Sequence, residues 1–277
     1  MKIKKRLVEE LEGKIPESFL KKLPSRYPIL GDALILRLDE DLLPYGREIG
    51  MILLEMLPKI KGVWAIITTR GVMRRPQTVF LAGKKNPIII HKELNTLFKL
   101  DIERLTFSPG NRGERKRLIE IVRSSQTVVD MFACVGNLSL PIAVNVNIRR
   151  LYALEINPYA FRFLIENIVI NDVQNRVVPI LGNNVRFLRE DLGDHVLMGF
   201  LPEPTQEQLV VALKIVRSRG VIHYHTLVKK GEEKNKMDEL LKHIEDLGYK
   251  PSIVEYRIIK SFSPSKNHAV YRIRIYK

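Results

Sequence analysis

The chain has 277 residues, 45% of them hydrophobic and 28% charged, with one cysteine and a formal net charge of +15. That length gives ample core for one large domain and a smaller one, and a single cysteine excludes an internal disulfide and fits a reducing, cytoplasmic compartment. There is no run of about eighteen apolar residues to span a membrane, and Met1 to Arg6 lack the apolar stretch and cleavage site of a secretory signal.

The basic excess is localised. Residues 51–100 hold 9 basic and 2 acidic side chains and residues 228–277 hold 12 and 7, whereas residues 127–227 balance at 9 and 9. A concentrated positive field points to a polyanion, nucleic acid being the common one. A lysine-rich thermophilic surface is the competing reading, and it leaves the clustering unexplained.

In chain order, residues 1–26 read as a charged, frayed helical segment. Residues 27–104 read as a small basic α+β domain, with a strand at 33–38, an amphipathic helix at 46–57 and short strands at 63–69 and 88–91. Arg70, Arg74, Arg75, Lys84 and Lys85 are expected on its loops, making it the candidate nucleic-acid contact. A turn-rich connector at 105–111 and a helix at 114–123 open a third region, 105–277. There the pattern alternates in the doubly wound manner, with strands at 127–132, 150–155, 176–181, 194–200 and 219–226. Two further β segments, 252–261 and 269–276, add a terminal hairpin. The expected class is α/β, a Rossmann-like seven-stranded core with a small N-terminal α+β domain.

The chemistry concentrates at the start of that core. Thr127-Val128-Val129-Asp130 is an apolar run ending in an acid, Met131 to Gly136 is a turn of mostly small residues, and a second apolar run, Leu151 to Leu154, ends in Glu155. Strand, tight turn, helix, strand and terminal acid is how an open α/β sheet builds a nucleoside pocket, the acid accepting the ribose hydroxyls. No G-x-G-x-x-G and no P-loop lysine motif occurs, so a nucleoside without phosphates is expected, with S-adenosylmethionine the leading candidate. Capping of a helix by Asp130 and a solvated strand end for Glu155 are the bland alternatives. Asn183 and Asn184 after the third strand could present amides to an adenine edge, or serve as ordinary turn residues. His223 and His225 share a strand face, but no third ligand has convincing spacing, so no metal is expected. Trp64, in a strand, reads as core rather than as a base-stacking platform, and Cys134 as packed rather than reactive.

Asp130-Met131-Phe132-Ala133-Cys134-Val135-Gly136, Glu155-Ile156-Asn157-Pro158, Glu166-Asn167 and Gly182-Asn183-Asn184 together resemble the class I S-adenosylmethionine-dependent transferases that modify the purine 3′ of the tRNA anticodon. The connector Phe107-Ser108-Pro109-Gly110-Asn111 with Glu114-Arg115 is similar as well, and the likeness runs over about residues 27–277. The group includes archaeal tRNA guanine-N1 methyltransferases and wybutosine-pathway 3-amino-3-carboxypropyl transferases acting on tRNA(Phe). In the methyltransferases the fourth strand ends in Asn-Leu-Pro or Asn-Pro-Pro; here Gly199 and Phe200 stand in place of that Asn, although Pro202 remains. The resemblance therefore implies aminocarboxypropyl transfer to a tricyclic wyosine precursor of tRNA(Phe), with guanine-N1 methylation of the same nucleotide as the alternative. It further implies Ser108, Arg115, Asp130, Phe132, Gly136, Glu155, Asn183 and Asn184 as cofactor-binding residues, Arg115 pairing the cofactor carboxylate. Phe200, Pro202 and Glu203 are the candidates for positioning the base. No covalent enzyme residue is required, and a cytoplasmic monomer is expected. One departure from the family pattern lies in the turn itself, where Cys134 stands at a position the family fills with glycine.

Overall fold

The computed structural model describes residues 3–71 and 73–277, which divide into two compact units. The first comprises the chain up to Lys92 together with Leu97–Pro109; the second comprises Glu93–Thr96 and Gly110–Lys277.

In the first unit the N-terminal segment is two helices, α1 (Ile3–Leu11) and α2 (Glu17–Lys22), rather than one frayed helix. Gly13, at φ +73, takes the left-handed conformation that ends a helix, and Pro16 precedes the next. The heptad-like Leu7, Leu11, Ile15, Leu20 and Leu23 turn onto one core with Leu34, Leu36, Ile49, Leu53 and Val63. Those partners belong to β2 (Ala33–Arg37), α3 (Gly46–Met56) and β3 (Gly62–Arg70). With β1 (Ile29–Leu30) and β4 (Arg75–Gly83) they complete a four-stranded sheet in the order β1-β2-β3-β4. Trp64 is buried in it, its indole N–H donating to Glu103 Oε1 at 2.9 Å and its ring edge-on to Phe80. A separate two-stranded hairpin is formed by β5 (Ile88–Glu93) and β6 (Thr96–Asp101), joined through Leu94 and Asn95, both at positive φ as a type I′ turn requires.

Strands β4 and β6 were not expected from the sequence. In β4 the arginine and proline at 75 and 76 obscure the pattern, while in β6 the buried Thr96, Phe98 and Leu100 keep the period of two that identifies it. Arg70 and Arg75 are consequently strand residues, not loop residues; Arg74 sits in the turn between them and Lys84 and Lys85 follow β4.

The second unit begins with α4 (Arg112–Ile121) and proceeds through β7 (Thr127–Asp130), α5 (Leu140–Asn145), β8 (Arg150–Glu155), α6 (Pro158–Ile170) and β9 (Val177–Leu181). It continues with β10 (Gly193–Met198), α7 (Gln206–Ile215), β11 (Val216–Lys229), α8 (Glu233–Asp246), β12 (Lys250–Ser261) and β13 (Lys266–Tyr276). The seven strands lie in the order β12-β13-β11-β10-β7-β8-β9, parallel except for β13, which is antiparallel to β11 and β12. The chain winds outward from β7 to β8 and β9, then returns to the other side of β7 for β10. The crevice beyond the carboxyl ends of β7 and β10 is therefore the topological switch point at which such sheets bind ligands.

The two faces of this sheet differ. Val129, Met131, Val196, Met198, Ile222, Tyr224, Tyr271 and Ile273 form an apolar face, packed with Leu209, Ala212, Leu213 and Ile215 of α7 and with Leu240 and Ile244 of α8. The strand register puts the alternate residues His195, His223, His225, His268 and Arg272 on the opposite face. There His195 Nδ1 meets His223 Nε2, and His225 Nδ1 meets His268 Nε2, both at 3.0 Å. Burial depresses the pKa of His195 and of His225 to about 4 and holds that of His223 well below its ordinary value, so all three are neutral. Arg117 of α4 pairs with Glu255, which Arg272 also holds at 3.0 Å.

Among the described residues no helix is long and apolar enough to cross a membrane. The division between faces makes a stability prediction. Ile222→Ala, in the fully buried apolar layer, should cost about 2–5 kcal/mol, whereas Ile258→Ala, at 50% exposure on the edge strand, should cost under about 1 kcal/mol. Urea unfolding of both variants checks the contrast; equal losses would mean that α7 and α8 do not seal that face.

Candidate functional site

The carboxyl ends of β7, β8 and β10 converge on a single turn. After Asp130 the chain leaves the sheet, and its backbone is tied on both sides: Met131 N–H donates to Leu197 O at 3.0 Å and Ala133 N–H to Leu154 O at 2.9 Å. Cys134 then takes φ +52 and Gly136 φ +92. At Gly136 a Cβ would stand 2.3 Å from the Leu140 side chain, so only glycine fits both the conformation and the space. At Cys134 the left-handed conformation costs about 1 kcal/mol for a residue with a Cβ. That cost is offset by a charge-assisted bond, Cys134 N–H to Glu155 Oε2 at 2.7 Å. Burial raises the Cys134 thiol well above its ordinary value and the Glu155 charge raises it further, so this thiol is packed and unreactive.

Glu155 closes the turn from the neighbouring strand. Its second oxygen, Oε1, accepts from Asn157 N–H at 2.7 Å, and Asn157 in turn caps α6 by accepting from Tyr159 N–H at 3.0 Å. Each carboxylate oxygen thus has a backbone donor fixing its direction and a second lone pair for a hydroxyl. Burial raises the Glu155 pKa, and the backbone N–H groups of Asn157, Cys134 and Ile156 pull it back. Ile156 follows with 47% of its surface exposed. The sequence reading passed over this apolar residue, although its position directly after the terminal acid was the available signal.

Asp130 is 1% exposed, and its Oδ1 accepts from Phe132 N–H at 3.1 Å. Burial lifts its pKa to about 6, opposed by the Ser139 hydroxyl and the Phe132 N–H, with Glu155 adding a smaller push upward. The Phe132 ring stacks on Phe200 at 5.1 Å between centroids and 26° between planes. Beyond Phe200 the backbone is fixed by Leu227 N–H donating to Pro202 O at 2.7 Å, and the Leu201–Pro202 peptide is cis. Glu203 is held by Lys236 at 2.9 Å and by the Thr226 hydroxyl at 3.3 Å. A Cβ on Gly199 would stand 2.7 Å from Leu138 Cδ1, so the chain here passes close against the turn that follows β7.

The asparagines divide by role. Asn184 is buried, its amide donating to Met131 O at 2.8 Å and accepting from Gln208 at 3.3 Å, which braces the turn from α7. Asn183 is exposed and accepts from Val185 N–H at 3.2 Å. Asn167, in the Glu166-Asn167 pair, is fully buried and donates to Val135 O at 3.0 Å. Arg115 is wholly buried in an ion pair with Glu93, Nε to Oε1 at 2.6 Å. Ser108 belongs to the first unit and is half-buried. The structure therefore brings Asp130, Phe132, Gly136, Glu155, Asn184, Phe200 and Pro202 to the same strand ends. Among the described residues no group of three or more His, Cys, Asp and Glu could hold a metal ion; His223 and His225 spend ring nitrogens on His195 and His268 instead.

The arrangement offers paired carboxylates, an apolar residue beside one of them, an aromatic stack, and a backbone turn without side-chain bulk. It suits a nucleoside that carries positive charge. Asp130 binds its proton more tightly in the fold than in the unfolded chain. Its stabilising contribution is accordingly complete below about pH 4 and is lost as pH rises through about 6. Asp130→Asn removes that dependence, so the variant should gain about 3 kcal/mol relative to the parent between pH 4 and pH 7. Urea titrations at the two pH values measure the difference; parallel stabilities would return Asp130 to an ordinary carboxyl.

Two family models match the chain: the TRM5/TYW2 methyltransferase domain over residues 89–258 and the TYW2 N-terminal domain over residues 7–86. A tRNA(Phe) (4-demethylwyosine(37)-C(7)) aminocarboxypropyltransferase of Pyrococcus horikoshii is 35% identical over 99% of this chain and 98% of its own length. The crystal structure of P. horikoshii TYW2 in complex with MeSAdo superposes with a TM-score of 0.81, at 32% identity, over 99% of both chains. A tRNA (guanine(37)-N(1))-methyltransferase of Pyrococcus abyssi, Trm5b, is 30% identical over 94% of this chain and 78% of its own length. With matched models over nearly its whole length and a turn built as described, this chain belongs to the TRM5/TYW2 methyltransferase-domain family.

Proposed function

We propose that the chain transfers the 3-amino-3-carboxypropyl group of S-adenosylmethionine to carbon 7 of the tricyclic 4-demethylwyosine base 3′ of the anticodon of tRNA(Phe), releasing methylthioadenosine. The supporting observation is the end of β10. Where a methyl-transfer site would present a side-chain amide to a base nitrogen, Gly199 has no side chain and Phe200 is stacked on Phe132. An aromatic pair offers a flat apolar platform to a planar base and no hydrogen-bond donor to select a ring nitrogen.

The residues present fit the cofactor. The remaining lone pairs of Glu155 accept the ribose hydroxyls and exposed Ile156 covers one face of adenine, while Gly136, whose Cβ position is taken by the Leu140 side chain, keeps the turn beside them tight. Asp130, ready to ionise near pH 6, balances the cofactor's positive charge. Arg115 is assigned to its amino-acid end, with Glu93 orienting the guanidinium. Asn183 is assigned to the adenine edge, while Asn184 acts by holding Met131. When bound, S-adenosylmethionine supplies a sulfonium-activated carbon: a bond from carbon 7 to the γ-carbon forms as the γ-carbon–sulfur bond breaks, its electron pair leaving on sulfur and the ring proton passing to water.

Selection among the three carbons on sulfur is then geometric. Holding the reacting atoms in line is worth effective molarities of about 10⁵–10⁸ M, and nothing in such a displacement demands a covalent protein nucleophile. Phe200, Pro202 and Glu203 position the base, the carbonyl of Pro202 being anchored by Leu227 and the Glu203 carboxylate by Lys236. The tRNA(Phe) substrate fits the basic excess of residues 51–100. The reading has the chain working in the cytoplasm as a monomer.

Incubation of the protein with labelled S-adenosylmethionine and tRNA(Phe) carrying 4-demethylwyosine should yield methylthioadenosine; S-adenosylhomocysteine as the by-product would replace this reading with methyl transfer. Glu155→Ala should weaken cofactor binding by about a hundredfold in calorimetry, since two hydrogen bonds to a charged group are lost. Unchanged affinity would remove Glu155 from the site.

A further inference from the structure

The first unit carries an apolar cleft apart from the strand ends just described. Alternation along β5 buries Ile89 and turns Ile88, Ile90 and Lys92 outward. Ile88 is 41% exposed and Ile90 57%, and Ile29 of β1, at 43%, faces the same cleft. The cleft has a volume of about 710 Å³, and Gly31, Asp32, Asn86 and His91 complete its lining. Its wall is rigid. At Gly31, φ +60, a Cβ would lie 2.6 Å from Ile90 O, and the Gly31 N–H donates to His91 Nδ1 at 3.3 Å. Isolated exposed isoleucines need no explanation, but three converging on one concave surface do.

Charge around the cleft is one-sided. The Lys84 N–H donates to Lys61 O at 2.7 Å and the Asn86 N–H to Lys84 O at 2.9 Å, which sets the backbones of Lys61, Lys84 and Lys85 at the Asn86 end, while Lys92 is in the lining itself. The lining holds one carboxylate, Asp32, already paired with Lys61 at 3.0 Å. Glu93, the next acid along the chain, is buried against Arg115.

We propose that this cleft receives an unstacked base from a single-stranded stretch of the RNA substrate, with Lys84, Lys85 and Lys92 on the flanking phosphates. The inference rests on the tRNA reading above and extends it to a surface remote in sequence from the transferase motifs. A volume of several hundred Å³ accommodates a nucleoside. Apolar side chains accept the face of any base, while lysines track the backbone without reading sequence. A second copy of this chain would set the same lysines against one another, so like charge disfavours self-association at this face.

Two full-length variants test the idea: Ile88→Ser with Ile90→Ser, and Lys84→Gln with Lys85→Gln and Lys92→Gln. Binding of a tRNA(Phe) transcript is measured across a salt series, with the melting temperature and S-adenosylmethionine affinity of each variant as controls. The isoleucine variant should bind tRNA about tenfold more weakly with an unchanged salt slope. The lysine variant should lower the slope by about 0.7 for each phosphate no longer neutralised. Photocrosslinking of 4-thiouridine-substituted tRNA to the unaltered protein gives a second readout that does not depend on the folding of a variant, and peptides containing residues 86–92 should carry the adducts. Full tRNA affinity in the isoleucine variant, or crosslinks confined to other peptides, would overturn the proposal. The by-product assay separates the two readings. An unaltered protein that binds tRNA through this cleft yet releases no methylthioadenosine would sink the transferase reading and leave the cleft standing.

Discussion

The Glu155 carboxylate is the clasp on which the second unit's strand ends depend. One oxygen accepts the N–H of Cys134, at the tightest point of the turn after β7, and the other accepts the N–H of Asn157, at the start of α6. One side chain thereby fixes two loops from two adjacent strands. Asn184 reaches the same turn through Met131 O, and Asn167 reaches it through Val135 O. Bonds to charged or buried partners of this kind contribute about 1–3 kcal/mol each and leave a costly orphan if one member is removed. The turn is therefore preorganised, and a ligand arriving there need not order it.

The sheet behind that clasp is asymmetric in its chemistry. One face is a continuous apolar layer against α7 and α8, where burial of Val196, Ile222, Tyr271 and Ile273 supplies the hydrophobic stabilisation. The opposite face carries the His195–His223 and His225–His268 pairs and the Arg117–Glu255–Arg272 cluster. Buried polar layers of this type contribute little net energy, because desolvation offsets attraction. They constrain register, however: a slip of one residue in β11 would put His223 and His225 into the apolar layer.

Much of the second unit was legible in the chain. The terminal acids Asp130 and Glu155, the small-residue turn between them and the Asn157-Pro158 helix start follow from local rules, and the structure places each at the expected strand end. The expected seven-stranded core with its terminal hairpin is also present, its strand order being β12-β13-β11-β10-β7-β8-β9. Less legible were β4, whose Arg75 and Pro76 obscure the pattern, and the two-helix form of the N-terminal segment, whose leucines acquire a partner only when β2, β3 and α3 form.

The partners of the buried polar residues were not legible at all. His223 and His225 share a face by periodicity alone, but that their partners are His195 and His268, on strands 28 and 43 residues away, is decided by register. Likewise, Arg115 reads as a helix-face charge until Glu93, 22 residues earlier, closes over it. Cys134 reads as a departure from glycine until the Glu155 carboxylate is seen holding its N–H. The sequence by itself determined which strands end in acids, where the chain must turn, and which segments carry the positive charge, since these depend on side-chain size, backbone freedom and composition over a few residues. Only the tertiary structure decided which polar groups neutralise one another and which apolar residues remain uncovered, because both depend on contacts between segments that the chain brings together only on folding.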